Sequence, residues 1–541
     1  MHLHLRVLLS LHVVLAFVGT GCSPRETPAD AGVRTGTLLL GNGAEPADLD
    51  PQTMTAYTEG NIHMALFEGL TVLDEEKLTP LPSSAERWDV SADGLTWTFH
   101  LRENLRWSNG EPVTADDFVQ SWRRLVSPAI AADNAYLLYP VKNAEAINGG
   151  TLTDLSQLGV AASDSRTLVV TLERPTPYFA MLTANVSTFA LNPRVLQRFG
   201  AMERRGTAWT RAGNLVGSGP FTLKEWSPNQ RIVVEKNPYF RDASSVTISS
   251  IVFFPTDHPD VDERNFRAGQ VHATLTLPTA KVAGWRERDP SKLRIDPLSQ
   301  ANFLRFNTTR PPFDDARVRR AFALSIDRET LARTVLQGTR TAATALTPPH
   351  TGGYTARAAV HTDFAAARRL LAEAGFPDGR DFPAIDLQCR NDEIQPKLAE
   401  AMQATWQREL GVHITLSQSE QKIWLQNQQS LDYALTFGAW LADVPDPGNF
   451  LGLFRSGGGY NWTGWSDPDY DRLVAEAEPL ADAARREELF QQAEARLLEA
   501  APIAPVFHGA ATYLLDPRIE GWPPSQLAWR RYQLVRFRPA P

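Results

Sequence analysis

The chain reads as an α/β or α+β protein of several domains, and three observations carry that reading. Its 541 residues amount to roughly three or four domains' worth of chain. Segments with two-residue apolar spacing are mixed with segments of three-to-four-residue spacing along the whole length, without an obvious repeat. Hydrophobic residues make up 43% of the sequence at a mean hydropathy of −0.28, enough for sizeable cores and too polar for a polytopic membrane protein.

The elements follow in order. Trp97, Phe99 and Leu101 alternate as a strand, as do Leu168, Val170 and Leu172. Thr114 with Asp117 three residues later marks a helix start, and Phe118, Trp122 and Leu125 then share a face. Gly217-Ser218-Gly219 reads as a turn before a strand at Phe221-Thr222-Leu223. Asp315 leads into a helix with Val318, Phe322 and Ile326 at four-residue spacing, and a second helix starts near Asp327 and stops at Gly338. Lys397 to Leu410 is a helix closed by Gly411, followed by a strand through Val412, Ile414 and Leu416. Leu473 to Leu498 is one long helical stretch, and Pro502 to Phe507 a short buried strand.

The beginning of the chain has the layout of a secretory signal. One positive charge in Met1–Arg6 precedes an apolar run, Leu8–Val18, interrupted only by Ser10 and His12 and too short to span a bilayer. Gly19, Thr20, Gly21 and Cys22 follow, resembling a bacterial lipoprotein cleavage site with the Cys22 thiol as lipid acceptor; Gly19 stands where that pattern wants Leu. Residues 1–21 are thus expected to be a signal peptide. Residues 22–33, rich in Pro, Ala and Asp, are expected to be a lipid-anchored flexible tether. Besides Cys22 only Cys389 exists, so no disulfide is expected.

Composition and motifs narrow the function classes. A net charge of −8 without a dense basic run argues against nucleic acid as partner. No Gly is followed by Lys, which removes a phosphate loop of the Walker type; there is no His-Glu-x-x-His, and the 11 His are scattered. Gly217-Ser218-Gly219 lacks the spacing of a nucleophile elbow. No cofactor and no metal are expected, and the chain is expected not to be an enzyme, although carboxylates are plentiful enough to leave a cleft hydrolase as the competing class.

Several segments in order resemble the extracytoplasmic oligopeptide- and dipeptide-binding proteins of ABC importers, solute-binding family 5. They are Glu45-Pro46-Ala47-Asp48-Leu49-Asp50-Pro51, Leu66-Phe67-Glu68-Gly69-Leu70, Trp97 to Arg102, Trp107 to Phe118, Pro312 to Arg319, Ile326-Asp327-Arg328, Trp440 to Pro447, and Asn461 to Trp465. The resemblance covers nearly all of the mature chain. It implies a two-lobed periplasmic-binding-protein-like α/β fold (type II, cluster C), with an extra domain beside the first lobe and ligand enclosed by hinge motion. On that model lobe I comprises residues 34–67, 191–297 and 512–541, the extra domain 68–190, and lobe II 298–511. The implied function is a monomeric periplasmic or cell-envelope receptor that captures short peptides and hands them to membrane permease subunits. Relatives of this kind also take cell-wall peptides, opines, metal complexes, haem or oligosaccharides.

The resemblance also implies the site. A peptide importer needs affinity without side-chain selectivity, and pairing the ligand backbone with protein backbone supplies it. Ala439, Trp440 and Leu441 are expected on one side of the ligand, and Thr55, Ala56 and Tyr57 on the other, with Trp440 and Tyr136 lining pockets. Asp443, at the acidic position of Trp440-Leu441-Ala442-Asp443, is expected to meet the ligand's α-ammonium, since a buried cation needs an anion. The family's basic residues for the ligand carboxylate fall at Gln395, Gln428 and Phe437, none of them basic, and its Trp contact falls at Gln421, with Trp424 close by. The ligand is therefore expected to be longer, amidated or not a peptide, or to keep its carboxylate in water, unless Arg390 or Lys422 restores the contact.

Overall fold

In the computed structural model, which describes residues 26–54, 56–75 and 77–539, the alternating segments form three main sheets. Successive strand residues point to opposite faces, so apolar residues two apart share one. Leu38 and Leu40 of Thr37–Gly41 sit opposite Ile251 and Phe253 of Ser250–Phe254, which in turn face Val234 and Ile232 of Arg231–Lys236. Phe221–Ser227 completes this four-stranded sheet, whose first pair is parallel and whose other pairs are antiparallel. The core on this sheet also takes Tyr513, Leu515 and Tyr532 from the far end of the chain, so distant segments build one core. Gly219, in the turn before Phe221, is needed for close approach: a Cβ there would lie 2.5 Å from the backbone of Leu66 and Phe67.

The second sheet is antiparallel, in the order Ala85–Val90, Thr96–Leu101, Thr167–Thr171, Val160–Asp164. Helix Ala115–Val126 belongs to its core. Its start is fixed as the sequence implies, with the Thr114 N–H donating to Asp117 Oδ2 at 2.8 Å, and it buries Phe118, Trp122 and Leu125 completely. From this helix Arg124 reaches Asp50 of the first lobe at 2.6 Å, with both side chains buried.

The third sheet has six strands, in the order Thr341–Ala342, Ile503–Leu514, Leu293–Phe306, Leu435–Leu441, Ile385–Arg390, Ile414–Ser419. Its two long antiparallel members run on past this sheet: Leu293 and Leu514 pack with Phe266, Val282 and Trp285, and Tyr513 joins the core of the first sheet. Residues 293–297 pair with 510–514 and residues 301–305 with 503–508, and the register breaks between Pro297 and Ala301. Gly509 lies at this break, where a Cβ would sit 2.1 Å from Gln300 Oε1. An irregularity in a two-stranded crossing is where bending costs least, because ladder bonds are already missing there.

Local signals mislead in a few places. The expected tether is helical from Pro28: helix Pro28–Thr35 is capped by Thr27, buries Ala29 and Gly32, and is tied down by Arg518, whose Nη1 lies 2.8 Å from Asp30. The long stretch over 473–498 is two helices, Pro468–Ala477 and Ala483–Ala500. Pro479 has no N–H to continue the first, and Asp482 caps the second. Asp327 does start a helix, but after Arg328–Thr330 it widens into a π-type turn, Leu331–Val335. The short strand at 502–507 is the start of the 12-residue crossing strand Ile503–Leu514. Cys389 is a free, buried thiol, and among the described residues no helix is long and apolar enough to cross a membrane.

Candidate ligand-binding cleft

Asp443 stands just past the end of strand Leu435–Leu441, in a cavity of about 260 Å³. One wall is Tyr136, Tyr139 and Tyr178 beside the second sheet; the other is Asp443, Val444, Asp446 and Asn449. Asn449 Oδ1 accepts from Trp440 Nε1 at 2.8 Å and from the Asp443 backbone N–H at 3.2 Å, which fixes both residues. Burial raises the Asp443 carboxyl above the usual carboxylate range, and hydrogen bonds from Tyr136 and Asn449 pull part of that back. The Tyr136 hydroxyl is pushed up by burial and then by the charge of Asp443. Asp443 Oδ2 has no hydrogen-bond partner, and no cation pairs with Asp443 among the described residues. Its neighbour Asp446, by contrast, is held by Arg486 through two bonds of 2.7 and 2.8 Å. A buried carboxylate with one oxygen unsatisfied is suited to receive a cationic N–H donor.

Beside it the sheet has an open edge. Strand Leu435–Leu441 is paired along its length with Leu293–Phe306, but the next strand touches it only at Leu435 and Thr436. Beyond Thr436 the backbone through Ala439, Trp440 and Leu441 has a strand partner on one side only among the described residues, and Ala439 and Leu441 are exposed. An extended ligand can add there as a strand.

A second cavity, of about 320 Å³, has Trp440 in its wall, and the Trp440 Nε1 bond to Asn449 links it to the wall of the first. Asn302, Arg305, Arg390, Gln395, Trp424, Gln428, Ala439, Tyr460 and Trp462 line it. An aromatic row leads through it: Trp440 to Tyr460 at 5.0 Å between ring centroids, then Tyr460 to Trp462 at 5.9 Å. Tyr460 is also close enough to Asp443 for the carboxylate to raise its hydroxyl pKa, after burial.

The structure brings Asp443, Tyr136, Trp440, Ala439, Gln395 and Gln428 to these two cavities. Gln395 Oε1 accepts from the Arg390 N–H at 2.7 Å, and Gln428 Oε1 from Arg305. Phe437 instead packs in a core with Leu435 and Leu387: it shares a face with Ala439, but the covering neighbours reach Phe437 and leave Ala439 exposed. Gln421 is exposed at the start of its helix, and it is Trp424, one turn on, that lines the cavity. Of the opposite segment, Thr55 lies outside the described residues. Ala56 is the N-cap of helix Tyr57–Leu66: its N–H donates to Glu59 and its C=O accepts from the Glu59 N–H, so neither is left for a ligand. The Tyr57 hydroxyl bonds to Ala528 C=O at 3.0 Å, inside a first-lobe pocket. Arg390 is paired with Asp392 at 2.7 Å, and Lys422 is exposed. Arg305, Asn449, Tyr460 and Trp462 escaped sequence reading; the one local sign was a charged Arg305 inside the apolar run Phe303-Leu304-Arg305-Phe306.

Residues 79–462 match the middle region of the bacterial extracellular solute-binding proteins, family 5. The chain belongs to that family. It is 35% identical over 490 residues to the probable deoxycholate-binding periplasmic protein YgiS of Escherichia coli, covering 89% of this chain and 90% of that one. It is 33% identical to the periplasmic oligopeptide-binding protein OppA of Salmonella typhimurium, covering 90% and 89%. Among solved structures, the unliganded open form of the periplasmic murein tripeptide binding protein MppA superposes with a TM-score of 0.81 at 30% identity, over 93% of this chain and 97% of that one. The two-lobed solute-binding fold implied by the sequence is therefore the fold of this chain, and its relatives are binding proteins.

Proposed function

We propose that this chain is the substrate-binding receptor of an ABC importer and that it captures short peptides between its two lobes without catalysing their cleavage. The observation that carries the peptide reading is Asp443, a buried carboxylate with an unsatisfied oxygen at the end of an open sheet edge. That pair of features matches an α-ammonium followed by a run of backbone amides, which every free peptide shares. OppA and MppA, both named for peptides, support the same ligand class. Closure would bend the two long strands at the break near Pro297 and Gly509, with lobe I at 34–67, 191–297 and 512–541, the extra domain at 68–190, and lobe II at 298–511. The receptor acts as a monomer without cofactor or metal. It is exported by the 1–21 signal and held at a membrane of the cell envelope by lipid on Cys22, which lies outside the described residues. The test is mass spectrometry of ligand released by mild denaturation from protein purified from its native host. Peptides of mixed sequence with free N-termini are the expected result; a single non-peptidic solute refutes the peptide reading.

A further inference from the structure

Buried guanidiniums elsewhere in the fold have their charge met. Arg124 is met by Asp50, Arg241 by Glu68 and Arg486 by Asp446, while Arg319 and Arg328 each spread their donors over several backbone carbonyls. Arg305 is different. It is 5% exposed, lines the 320 Å³ cavity, and has no carboxylate partner among the described residues. Its Nη1 donates to Gln428 Oε1, its Nε has no acceptor, and its guanidinium stacks on Trp462 and Phe303 at 5.0 and 5.5 Å from the ring centroids. Burial lowers its pKa to about 10, which leaves it charged at neutral pH.

We propose that Arg305 is the anion anchor of the cleft and takes a carboxylate of the ligand. The assignment rests on the reading of this cleft as the capture site. A buried cation without a counter-charge is costly, and the cost is recovered when a carboxylate arrives, because a guanidinium offers parallel donors that match its two oxygens. Stacking on Trp462 and the bond to Gln428 hold the guanidinium in place beforehand. Gln428 is a positioning residue: it supplies the acceptor that aims Arg305, which explains why a neutral amide suffices there. The cation comes from the neighbouring strand, where Arg305 stands opposite Thr436. The cleft thus carries an unpaired carboxyl at Asp443 and an unpaired positive charge at Arg305, joined by the open edge and by the row Trp440, Tyr460, Trp462. From Thr436 to Leu441 the strand rises about 17 Å, which an extended zwitterion of about five residues matches.

The test compares the mature protein, Arg305→Met, Arg305→Lys and Asp443→Asn by calorimetry. The probes are alanine peptides of three to six residues, each as free acid and C-terminal amide, and deoxycholate beside its uncharged amide. Wild type is expected to bind acids at least about a hundredfold more tightly than amides. Arg305→Met should bring the two within roughly threefold while Arg305→Lys keeps part of the preference, and melting temperatures report whether each variant is folded. Should no peptide bind while deoxycholate binds and its amide does not, with the difference lost in Arg305→Met and kept in Asp443→Asn, the peptide reading fails and the anion anchor stands. Three results overturn the anchor: wild type indifferent to the carboxylate, Arg305→Met retaining the acid preference, or none of these carboxylates binding.

Discussion

Replacing Asp443 with Asn separates ligand capture from folding. The substitution preserves the size of the side chain and an acceptor for the Tyr136 hydroxyl, and exchanges the charge and one acceptor oxygen for an amide NH2. In the bound state the α-ammonium would then be buried without its anion. Losing one member of a buried ion pair costs about 3–5 kcal/mol, which corresponds to a loss in affinity of roughly a hundredfold to a few thousandfold. The free protein should respond in the opposite sense. Burial raises the folded-state pKa of Asp443, so wherever the group is ionised the fold carries the cost of an unpaired carboxylate. Between its unfolded and folded pKa values the folded state binds more protons, and stability falls as pH rises through that window. The Asn variant, free of that cost, should melt at the wild-type temperature or above it. Affinity of wild type should weaken on acidification from above the usual carboxylate range, because only the ionised carboxylate pairs with ammonium, and binding should release a proton wherever Asp443 is partly protonated. Calorimetry with free and N-acetylated peptides in buffers of differing ionisation heat, together with thermal melts, reads all of these. An acetylated peptide that binds wild type as well as the free one, or an Asn variant within threefold of wild type, refutes the assignment.

Other outcomes follow from the same structure. Cys22→Ser should move the protein from the membrane fraction to the soluble fraction, because stable anchoring takes two or more acyl chains; wild type isolated with a water-soluble N-terminus would end the lipoprotein reading. Arg124→Met leaves Asp50 buried without its partner and should cost about 3–5 kcal/mol, seen as an earlier urea transition; a loss under about 1 kcal/mol would show that this contact between the second sheet's helix and the first lobe is relaxed by water. His63 is completely buried with its pKa lowered to about 3, so between about 6.5 and 3 the unfolded chain takes a proton that the folded chain refuses, and stability falls as pH drops. His63→Leu should therefore recover about 1 kcal/mol of the stability that wild type loses between pH 7 and pH 5.5, by urea denaturation at the two values; an unchanged loss assigns the pH dependence to other groups, such as His508 with its pKa near 4.

Much of this protein is decided within short stretches of chain. Thr114 and Asp117 start a helix because the cap needs only residues three apart, and Gly411 ends one because its φ of +69° suits a residue without Cβ. Trp97, Phe99 and Leu101 declare a half-buried strand by alternation alone. The run from Trp440 to Pro447 marks the neighbourhood of the ligand, and Asp443 in it is placed where a buried charge would be of use. What sequence could not supply depends on residues far apart in the chain. Ile503–Leu514 reads as a short strand until Leu293–Phe306 pairs with it and carries both between lobes. Ala56 looks free to meet a ligand until Glu59 closes on its N–H. A positive charge absent from Gln395, Gln428 and Phe437 lines the same cavity at Arg305, on a strand 90 to 132 residues earlier, because a cavity sums charge over every element that lines it. Alternation, caps and turns act over a few bonds and are written locally; whether a charge is buried, paired or left waiting for a ligand is set by the dielectric and the neighbours that only the assembled lobes provide.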